Sequence, residues 1–152
     1  MKKTIAEIIA TGLGSGYAPI APATVGSAVA LVIYWALWSG GTGDSLWFVA
    51  LIAVTLIAGW WAADAISTRA DDDPKRCVID EFVGVWVTCL FLPVTWGWLL
   101  AAVVIFRMLD IAKPFGIRRL EKLPRGVGII ADDLAAGLVG AAALNAVRLV
   151  LF

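Results

Sequence analysis

The chain has 152 residues, 61% of them hydrophobic and 16% charged, and its 12 basic and 12 acidic residues give a formal net charge of zero. Soluble globular domains are close to half apolar, so this composition and a mean hydropathy of +0.91 exclude an ordinary soluble protein. The two cysteines exclude a disulfide framework or a cysteine metal cluster, and no nucleic-acid partner is predicted.

The apolar pattern predicts a short helix followed by membrane-length segments. Residues 2–11 place three isoleucines at helical spacing, which is typical of a helix lying in the membrane interface. The membrane-length segments are residues 23–38, 46–66, 78–92, 98–111 and 129–152. The third and fourth are shorter than the ~20 residues of a full span, so they form either two crossings or one re-entrant hairpin. We expect an all-α fold, a small polytopic membrane helical bundle with an interfacial N-terminal helix, formed by one domain over residues 1–152.

The loops between these segments differ in charge, which predicts the orientation of the chain. Loops 39–45 and 93–97 contain no Lys or Arg, whereas the N-terminal tail and the alternate loops carry nearly all the basic residues. Cytoplasmic loops are enriched in Lys and Arg, so the charged loops are predicted to be cytoplasmic. Tryptophan prefers the headgroup level, and five of the eight tryptophans flank the uncharged loops: Trp35, Trp38, Trp47, Trp96 and Trp98. Both patterns predict a multi-pass protein.

A Gly- and Pro-rich segment at residues 12–27 precedes the first long segment, and its composition excludes a continuous helix. Thr24 or Ser27 is predicted to cap the helix that follows, and the free N–H groups of such a terminus can bind phosphate. The candidate substrate-binding residues here are Ser15, Thr24, Gly26 and Ser27. The alternative is a turn with close helix packing through a GxxxG pair, Gly12 and Gly16.

Acidic residues occur where three of the predicted helices begin or end. Asp80 and Glu81 open the third segment, Asp110 closes the fourth, and Asp132 and Asp133 begin the last, after a flexible turn at residues 126–128. The helix dipole explains a single acid at a helix N-terminus. Ionisable residues that enter an apolar segment are expensive, however, and indicate a functional site with a partner.

Basic residues flank one of these acids. Arg107 and Lys113 stand three residues to either side of Asp110, which predicts ion pairs at the end of a helix that Pro114 terminates. A structural ion pair is the alternative to a functional site at this position.

Two glycines follow acids at helical spacing. Gly84 and Gly137 each lie four residues after an acid, so the same helix faces permit close contact with another helix. The acidic run at residues 71–73 is interpreted as a solvated loop, because charge runs usually are.

Five carboxylates from three helices are therefore predicted at one membrane depth. Their repulsion at a low-dielectric boundary is strong unless protons or bound cations relieve it, and a divalent cation is the economical solution. The sequence contains no histidine and no cysteine pair, so an all-oxygen site favours Mg²⁺ or Mn²⁺ over Zn²⁺.

Four ordered motifs carry a resemblance to a known family. They lie at residues 14–27, 78–84, 106–114 and 128–137, and together they resemble the phosphatidylglycerophosphatase A family over nearly the whole chain. The resemblance implies a Mg²⁺-dependent enzyme of the bacterial cytoplasmic (inner) membrane, which removes the terminal phosphate of the phospholipid phosphatidylglycerophosphate and has its active site facing the cytoplasm. It also implies metal-binding and catalytic roles, with Lys113 as a basic partner, for Asp80, Glu81, Asp110, Asp132 and Asp133.

The residues themselves narrow the chemistry of such a phosphatase. The absence of histidine excludes a His nucleophile, and neither cysteine has the Arg six positions later that a Cys-x5-Arg phosphate loop needs. A metal-activated water remains, with Glu81 as a candidate general base. Arg107, Lys113 and Arg118 are candidate phosphate ligands. A covalent aspartyl-phosphate route stays open.

Two other classes of protein are alternatives. A small divalent-cation transporter or channel subunit needs polar groups along a complete path, and the membrane segments offer little beyond Thr55, Thr88 and Asn145. A non-catalytic assembly subunit would leave the acids unexplained. A homo-oligomer is compatible with the sequence in each case, and the phosphatase is the favoured interpretation.

Overall fold

The computed structural model describes residues 2–39, 46–68, 70–124 and 126–151. Within these ranges the chain is all-helical and contains no strand, only an isolated bridge between Thr68 and Asp71. The α-helices are α1 (Lys2–Ala10), α2 (Pro22–Trp38), α3 (Leu46–Ile66), α4 (Ile79–Thr88), α5 (Trp96–Ala112) and α6 (Gly126–Leu151), with short 3₁₀ turns at Ser15–Tyr17 and Ile117–Lys122. The all-α prediction is confirmed. Residues 40–45 of the predicted uncharged loop, and Phe152, lie outside the described residues.

The helix boundaries agree with the apolar pattern except around the third predicted segment. α3 has the predicted bounds, and α1 and α2 each differ by one residue. The predicted length of the segment at residues 78–92 is wrong, because α4 ends at Thr88 and turns follow. Phe91 has a left-handed φ of 64°, and Pro93 disfavours helical backbone at the residue before it. α4 is therefore about 15 Å long, half of the ~30 Å hydrocarbon core.

The start of α2 differs from the capping prediction. Ala21 is the N-cap, in a left-handed conformation with φ 48°, and Pro22 is the first helical residue. The prediction that Thr24 or Ser27 caps this helix is wrong, because both residues lie inside its first two turns. Proline suits the first helical position, since its φ is already helical and it has no N–H group to satisfy.

α4 is enclosed by other helices. It contacts α2, α3, α5 and α6, and all its residues except Asp80 are buried. The Trp86 indole N–H donates to the Ala30 carbonyl of α2 at 2.8 Å, and the Asn145 amide of α6 donates to the Leu90 carbonyl at 2.9 Å. A helix that is apolar on every side is expected to be surrounded in this way. The acids at its start are therefore held among neighbouring helices.

α4 and α6 make a close contact at two glycines. A Cβ atom on Gly137 would lie 2.7 Å from the Gly84 carbonyl oxygen, and a Cβ on Gly140, farther along α6, would lie 3.0 Å from the Thr88 side chain. The two helices therefore run in the same direction at this contact. The close approach predicted for Gly84 and Gly137 is confirmed. Asp80 and Asp133 each lie one turn before one of these glycines, so the contact brings the two acids to the same level.

The start of α6 contains two more glycines with close neighbours. The prediction of a flexible turn at residues 126–128 is wrong, because these residues belong to the helix. A Cβ on Gly126 would lie 2.7 Å from the Trp60 carbonyl oxygen of α3, and a Cβ on Gly128 would lie 2.5 Å from the Leu123 carbonyl oxygen. These glycines make room for neighbouring backbone. Asp132 and its neighbour consequently lie in the second turn of α6.

Successive helices from α2 to α6 alternate in direction. The starts of α2, α4 and α6 and the end of α5 line one pocket, and the start of α6 contacts the end of α3. At the opposite end, Trp35 stacks on Trp96 with ring centroids 5.2 Å apart, and Trp38 contacts Phe48 at 4.8 Å. The charged and aromatic ends of the molecule are thus separate.

Two of the helices have the length and composition of membrane spans. α3 and α6 have mean hydropathies of 2.0 and 1.9, and α2 is apolar but shorter. These properties are consistent with a membrane protein.

Gly137→Ala is expected to destabilise the protein, although alanine favours a helix by about 1 kcal/mol over glycine. The added methyl group meets the Gly84 backbone, which cannot rotate away as a side chain can, so overpacking costs about 1–3 kcal/mol. Thermal unfolding in detergent measures the change. Gly97→Ala in α5 is the matched control, because a Cβ there meets no atom of the described residues within 4 Å. A raised unfolding midpoint for Gly137→Ala would contradict the close contact.

Candidate functional site

Charged side chains converge in a pocket of about 420 Å³ at the end of the molecule where α2, α4 and α6 begin. This carboxylate pocket is lined by six acids, Asp73, Asp80, Glu81, Asp110, Asp132 and Asp133, and by three bases, Lys75, Arg107 and Lys113. With all nine groups ionised, its formal charge is −3, so the pocket attracts cations. It contains all five acids that the sequence places together.

Asp110, Asp132 and Asp133 form the tightest acidic group in the carboxylate pocket. Each contributes one carboxylate oxygen to a set whose members all lie within 4.8 Å of one another. Asp132 and Asp133 are only 5% and 3% exposed, so water screens their mutual repulsion poorly. A cation shared by the three oxygens would remove that repulsion. Asp80 and Glu81 line the same pocket outside this group.

Glu81 is held by two side chains. Arg107 donates a hydrogen bond to its Oε1 atom, and the Ser27 hydroxyl lies 2.9 Å from its Oε2 atom. The same hydroxyl lies 3.0 Å from the Ala23 carbonyl oxygen, and its single proton serves one acceptor at a time. An ionised Glu81 accepts that proton, whereas a protonated Glu81 donates its own proton to Ser27. Ser27, a predicted substrate-binding residue, therefore contacts an acid of the pocket.

Asp110 lies near the C-terminal end of α5, where a carboxylate opposes the helix dipole. Arg107 donates to Asp110 Oδ2 at 2.8 Å, and Lys113 Nζ lies 3.6 Å from Asp110 Oδ1. The ion pairs predicted from the three-residue spacing are confirmed. α5 ends at Ala112, two residues before Pro114, as the sequence predicts.

Lys113 bridges three carboxylates. Besides Asp110, it contacts Asp132 and lies 2.8 Å from Glu121 Oε1. Burial opposes its charge, but the ion pairs with Asp132 and Glu121 prevail and raise the pKa of Lys113 above its ordinary value. Lys113 is therefore a permanent positive charge at neutral pH, and charge-assisted hydrogen bonds of this kind suit a phosphate.

Three carboxylate oxygens of the pocket are buried without a hydrogen-bond partner in the described part of the chain: Asp80 Oδ1, Asp132 Oδ1 and Asp133 Oδ2. An unsatisfied buried polar atom costs about 1–3 kcal/mol, and native structures contain few of them. Mg²⁺ and Mn²⁺ prefer carboxylate oxygen ligands. The residues of the pocket thus fit such a cation.

Five predicted substrate-binding residues lie outside the lining of the carboxylate pocket: Ser15, Thr24, Gly26, Ser27 and Arg118. The Ser15 hydroxyl donates to a carbonyl of its own turn at 2.8 Å. Gly26 packs against Val78, to which a Cβ would come within 2.8 Å. Thr24 and Arg118 are exposed. Their substrate-binding roles stay predictions.

The loop before α4 contributes residues to the pocket that the sequence interpretation missed. Asp73, Lys75 and Cys77 line the pocket, whereas Asp71 does not. Residues 71–73 are exposed, which agrees with the interpretation of this acidic run as a solvated loop, but Asp73 also lines the pocket. Nothing in the charge pattern distinguishes Asp73 from its acidic neighbours. The sequence feature that could have pointed to Asp73 is the proline after it, because Pro74 is fully buried and holds the adjacent backbone against the protein.

The fold and the pocket define an all-helical, strongly apolar protein with a carboxylate-rich site at one end. A family model described as Phosphatidylglycerophosphatase A matches residues 8–148. The chain therefore belongs to the phosphatidylglycerophosphatase A family, and it is a phosphatase. The resemblance inferred from the four motifs is confirmed.

The chain is similar to proteins from three bacteria. A protein of Bacteroides thetaiotaomicron, provisionally named a phosphatidylinositol-3-phosphatase, is 40% identical over 86% of this chain and 86% of its own length. The Phosphatidylglycerophosphatase A of Escherichia coli is 34% identical over 91% of this chain and 80% of its own length. That of Haemophilus influenzae is 33% identical over 93% and 88%. No solved structure matches the chain.

Cys77 lines the pocket, but its thiol is expected to be inert. Burial and the nearby charge of Asp80 raise the pKa of Cys77, so almost no reactive thiolate is present at neutral pH. We expect Cys77 to resist N-ethylmaleimide at pH 7 in the folded protein and to react after denaturation in SDS, as peptide mass spectrometry measures. The denatured sample is the control. Rapid labelling of native Cys77 would reopen the question of a cysteine nucleophile.

Proposed function

We propose that the protein is a Mg²⁺-dependent lipid phosphatase, which hydrolyses the terminal phosphomonoester of phosphatidylglycerophosphate to phosphatidylglycerol and inorganic phosphate at the cytoplasmic membrane interface. The observation that carries the proposal is the set of Asp110, Asp132 and Asp133 oxygens within 4.8 Å of one another, with Arg107 and Lys113 in contact with these acids. The names of two relatives support the substrate.

The acidic group of α5 and α6 would hold the cation. Its candidate ligand atoms include Asp132 Oδ1 and Asp133 Oδ2, which are buried and lack a hydrogen-bond partner in the described ranges. Asp80, at the start of α4, supplies a further oxygen in the same pocket. When bound, Mg²⁺ would neutralise phosphoryl charge and lower the pKa of a water molecule.

Arg107 and Lys113 would bind the phosphate oxygens. Both line the pocket and already pair with carboxylates. Phosphate binding therefore exchanges one charge-assisted hydrogen bond for another and leaves no buried cation unpaired. Glu81 would take the proton of the attacking water, while its contacts with Arg107 and Ser27 hold the carboxylate in position.

The lengths of the helices support a polytopic arrangement. α2 and α5 are each about 26 Å long, α3 about 32 Å and α6 about 39 Å, against a hydrocarbon core of ~30 Å. These four helices would cross the membrane, and the enclosed α4 would reach about half-way. α1, whose Ile5 and Ile8 are 49% and 50% exposed, would lie in the interface. The carboxylate pocket would then lie at headgroup depth on the basic, cytoplasmic side.

A second phospholipid is also a candidate substrate, because the relative that is 40% identical has a name that refers to a phosphoinositide. The two lipids share a phosphomonoester on a glycerolipid headgroup, which is the group that the pocket would bind. Cation transport is not favoured, because the family is a phosphatase family.

Asp132→Asn is expected to lower phosphate release by at least about 100-fold, because a lost cation ligand removes several kcal/mol of charge stabilisation. Purified protein in mixed micelles is assayed with phosphatidylglycerophosphate and with phosphatidylinositol-3-phosphate, each with Mg²⁺ or with EDTA. We expect Mg²⁺-dependent release, faster from phosphatidylglycerophosphate.

Asp71→Asn is the matched control for this experiment, since Asp71 is an exposed acid that does not line the pocket. Full activity of a folded Asp132→Asn protein, or phosphate release that EDTA leaves unchanged, would contradict the proposed metal mechanism. Faster release from the phosphoinositide would reassign the substrate without touching the site.

A further inference from the structure

Asp73 lies where two pockets meet. Besides the carboxylate pocket, it lines a neighbouring pocket of about 370 Å³, whose lining includes Asp72, Glu121 and Asp132. Of the charged residues that the structure describes, only Asp73 and Asp132 line both pockets. Asp132 belongs to the acidic group of α5 and α6, so Asp73 shares both pockets with a member of the candidate cation site.

The loop that carries Asp73 is held in place by the N-terminal segment. The adjacent Pro74 is fully buried, and Arg76 Nε pairs with Glu7 Oε1 at 2.7 Å. A Cβ on Gly16 would lie 2.0 Å from the Arg76 carbonyl oxygen, so the 3₁₀ turn at Ser15–Tyr17 packs directly on this loop. Asp73 is exposed, yet little backbone freedom remains to be lost when its side chain engages a ligand.

The interior of the pocket independently indicates a binding site for a positively charged ligand. Asp132 and Asp133 are more than nine-tenths buried, and each has a carboxylate oxygen without a hydrogen-bond partner among the described residues. One added positive charge in the pocket would satisfy both of these buried oxygens, and Asp73 lines the same pocket.

We propose that Asp73 is a further residue of the cation site, where it accepts hydrogen bonds from water ligands of an ion held by Asp110, Asp132 and Asp133. Asp73 is not part of the set of oxygens within 4.8 Å, so its contact with the ion runs through water. Mg²⁺ usually keeps several of its waters. The inference rests on the proposed function, because it requires the cation.

Mn²⁺ binding to the full-length protein in detergent, followed by electron paramagnetic resonance, tests this role without any substrate. Partners that orient the ligands of a metal change its affinity by about 10- to 100-fold. Asp73→Asn is therefore expected to raise the Mn²⁺ Kd by about 10-fold or more, with an unchanged unfolding midpoint in the absence of metal. Asp73→Glu, which keeps the carboxylate, is expected to recover part of the affinity.

Asp72→Asn is the matched control, since it removes the same charge from the neighbouring residue, which lines only the second pocket. Solvent and salt screen such a charge, so its Kd is expected to stay near that of the unmodified protein. An unchanged Kd for folded Asp73→Asn, or an equal rise for Asp72→Asn, overturns the role of Asp73. If Asp132→Asn still abolishes binding, the proposed metal site survives that result. Absence of Mn²⁺ binding by the unmodified protein overturns the metal site and this inference together.

Discussion

The contact between Gly84 of α4 and Gly137 of α6 is the constraint on which the carboxylate pocket depends. Because Gly137 has no Cβ atom, α6 approaches α4 until the Gly84 carbonyl oxygen lies where a side chain of residue 137 would begin, and the space beside Gly84 itself is filled by Phe106 of α5. Asp80 and Asp133 each lie one turn before these glycines, so the same contact sets them at one level. α5 packs against both helices and adds Asp110 at its end.

The charges in the pocket are only partly compensated. Arg107 and Lys113 between them contact Glu81, Asp110 and Asp132, whereas Asp80 and Asp133 have no ion pair with a described basic residue. The excess negative charge is therefore concentrated where α4 and α6 meet. Removing either base would leave buried acids unpaired, at a cost of several kcal/mol. An added divalent cation supplies positive charge at that place without disturbing the existing pairs.

Much of the fold could be predicted because membrane-length apolar segments and the spacing of four residues between acid and glycine are properties of the sequence alone. α3 and the contact at Gly84 and Gly137 follow directly from them. The end of α4 was not predicted, although Pro93 is a sequence signal for it; the left-handed conformation of Phe91 and the hydrogen bond from the Asn145 amide of α6 to the Leu90 carbonyl are visible only in the structure. The role of Gly126 could not be predicted either, because a glycine before a helix is compatible with a flexible turn or with close packing. The structure shows close packing, since a Cβ on Gly126 would meet the backbone of α3.

The candidate site likewise has one part that the sequence predicts and one part that it does not. Its helical acids could be predicted, since residues on one face of a helix recur at a fixed period, but a loop has no period to select Asp73 from its neighbours. For the Gly-rich segment the sequence left phosphate binding and close packing as alternatives, and the structure shows packing contacts: Gly16 lies against the Arg76 carbonyl and Gly26 against Val78. These two contacts fix both the loop that bears Asp73 and the start of α4. Close approach of backbone, which only glycine permits there, thus shapes the site at its loop as well as at its helix crossing.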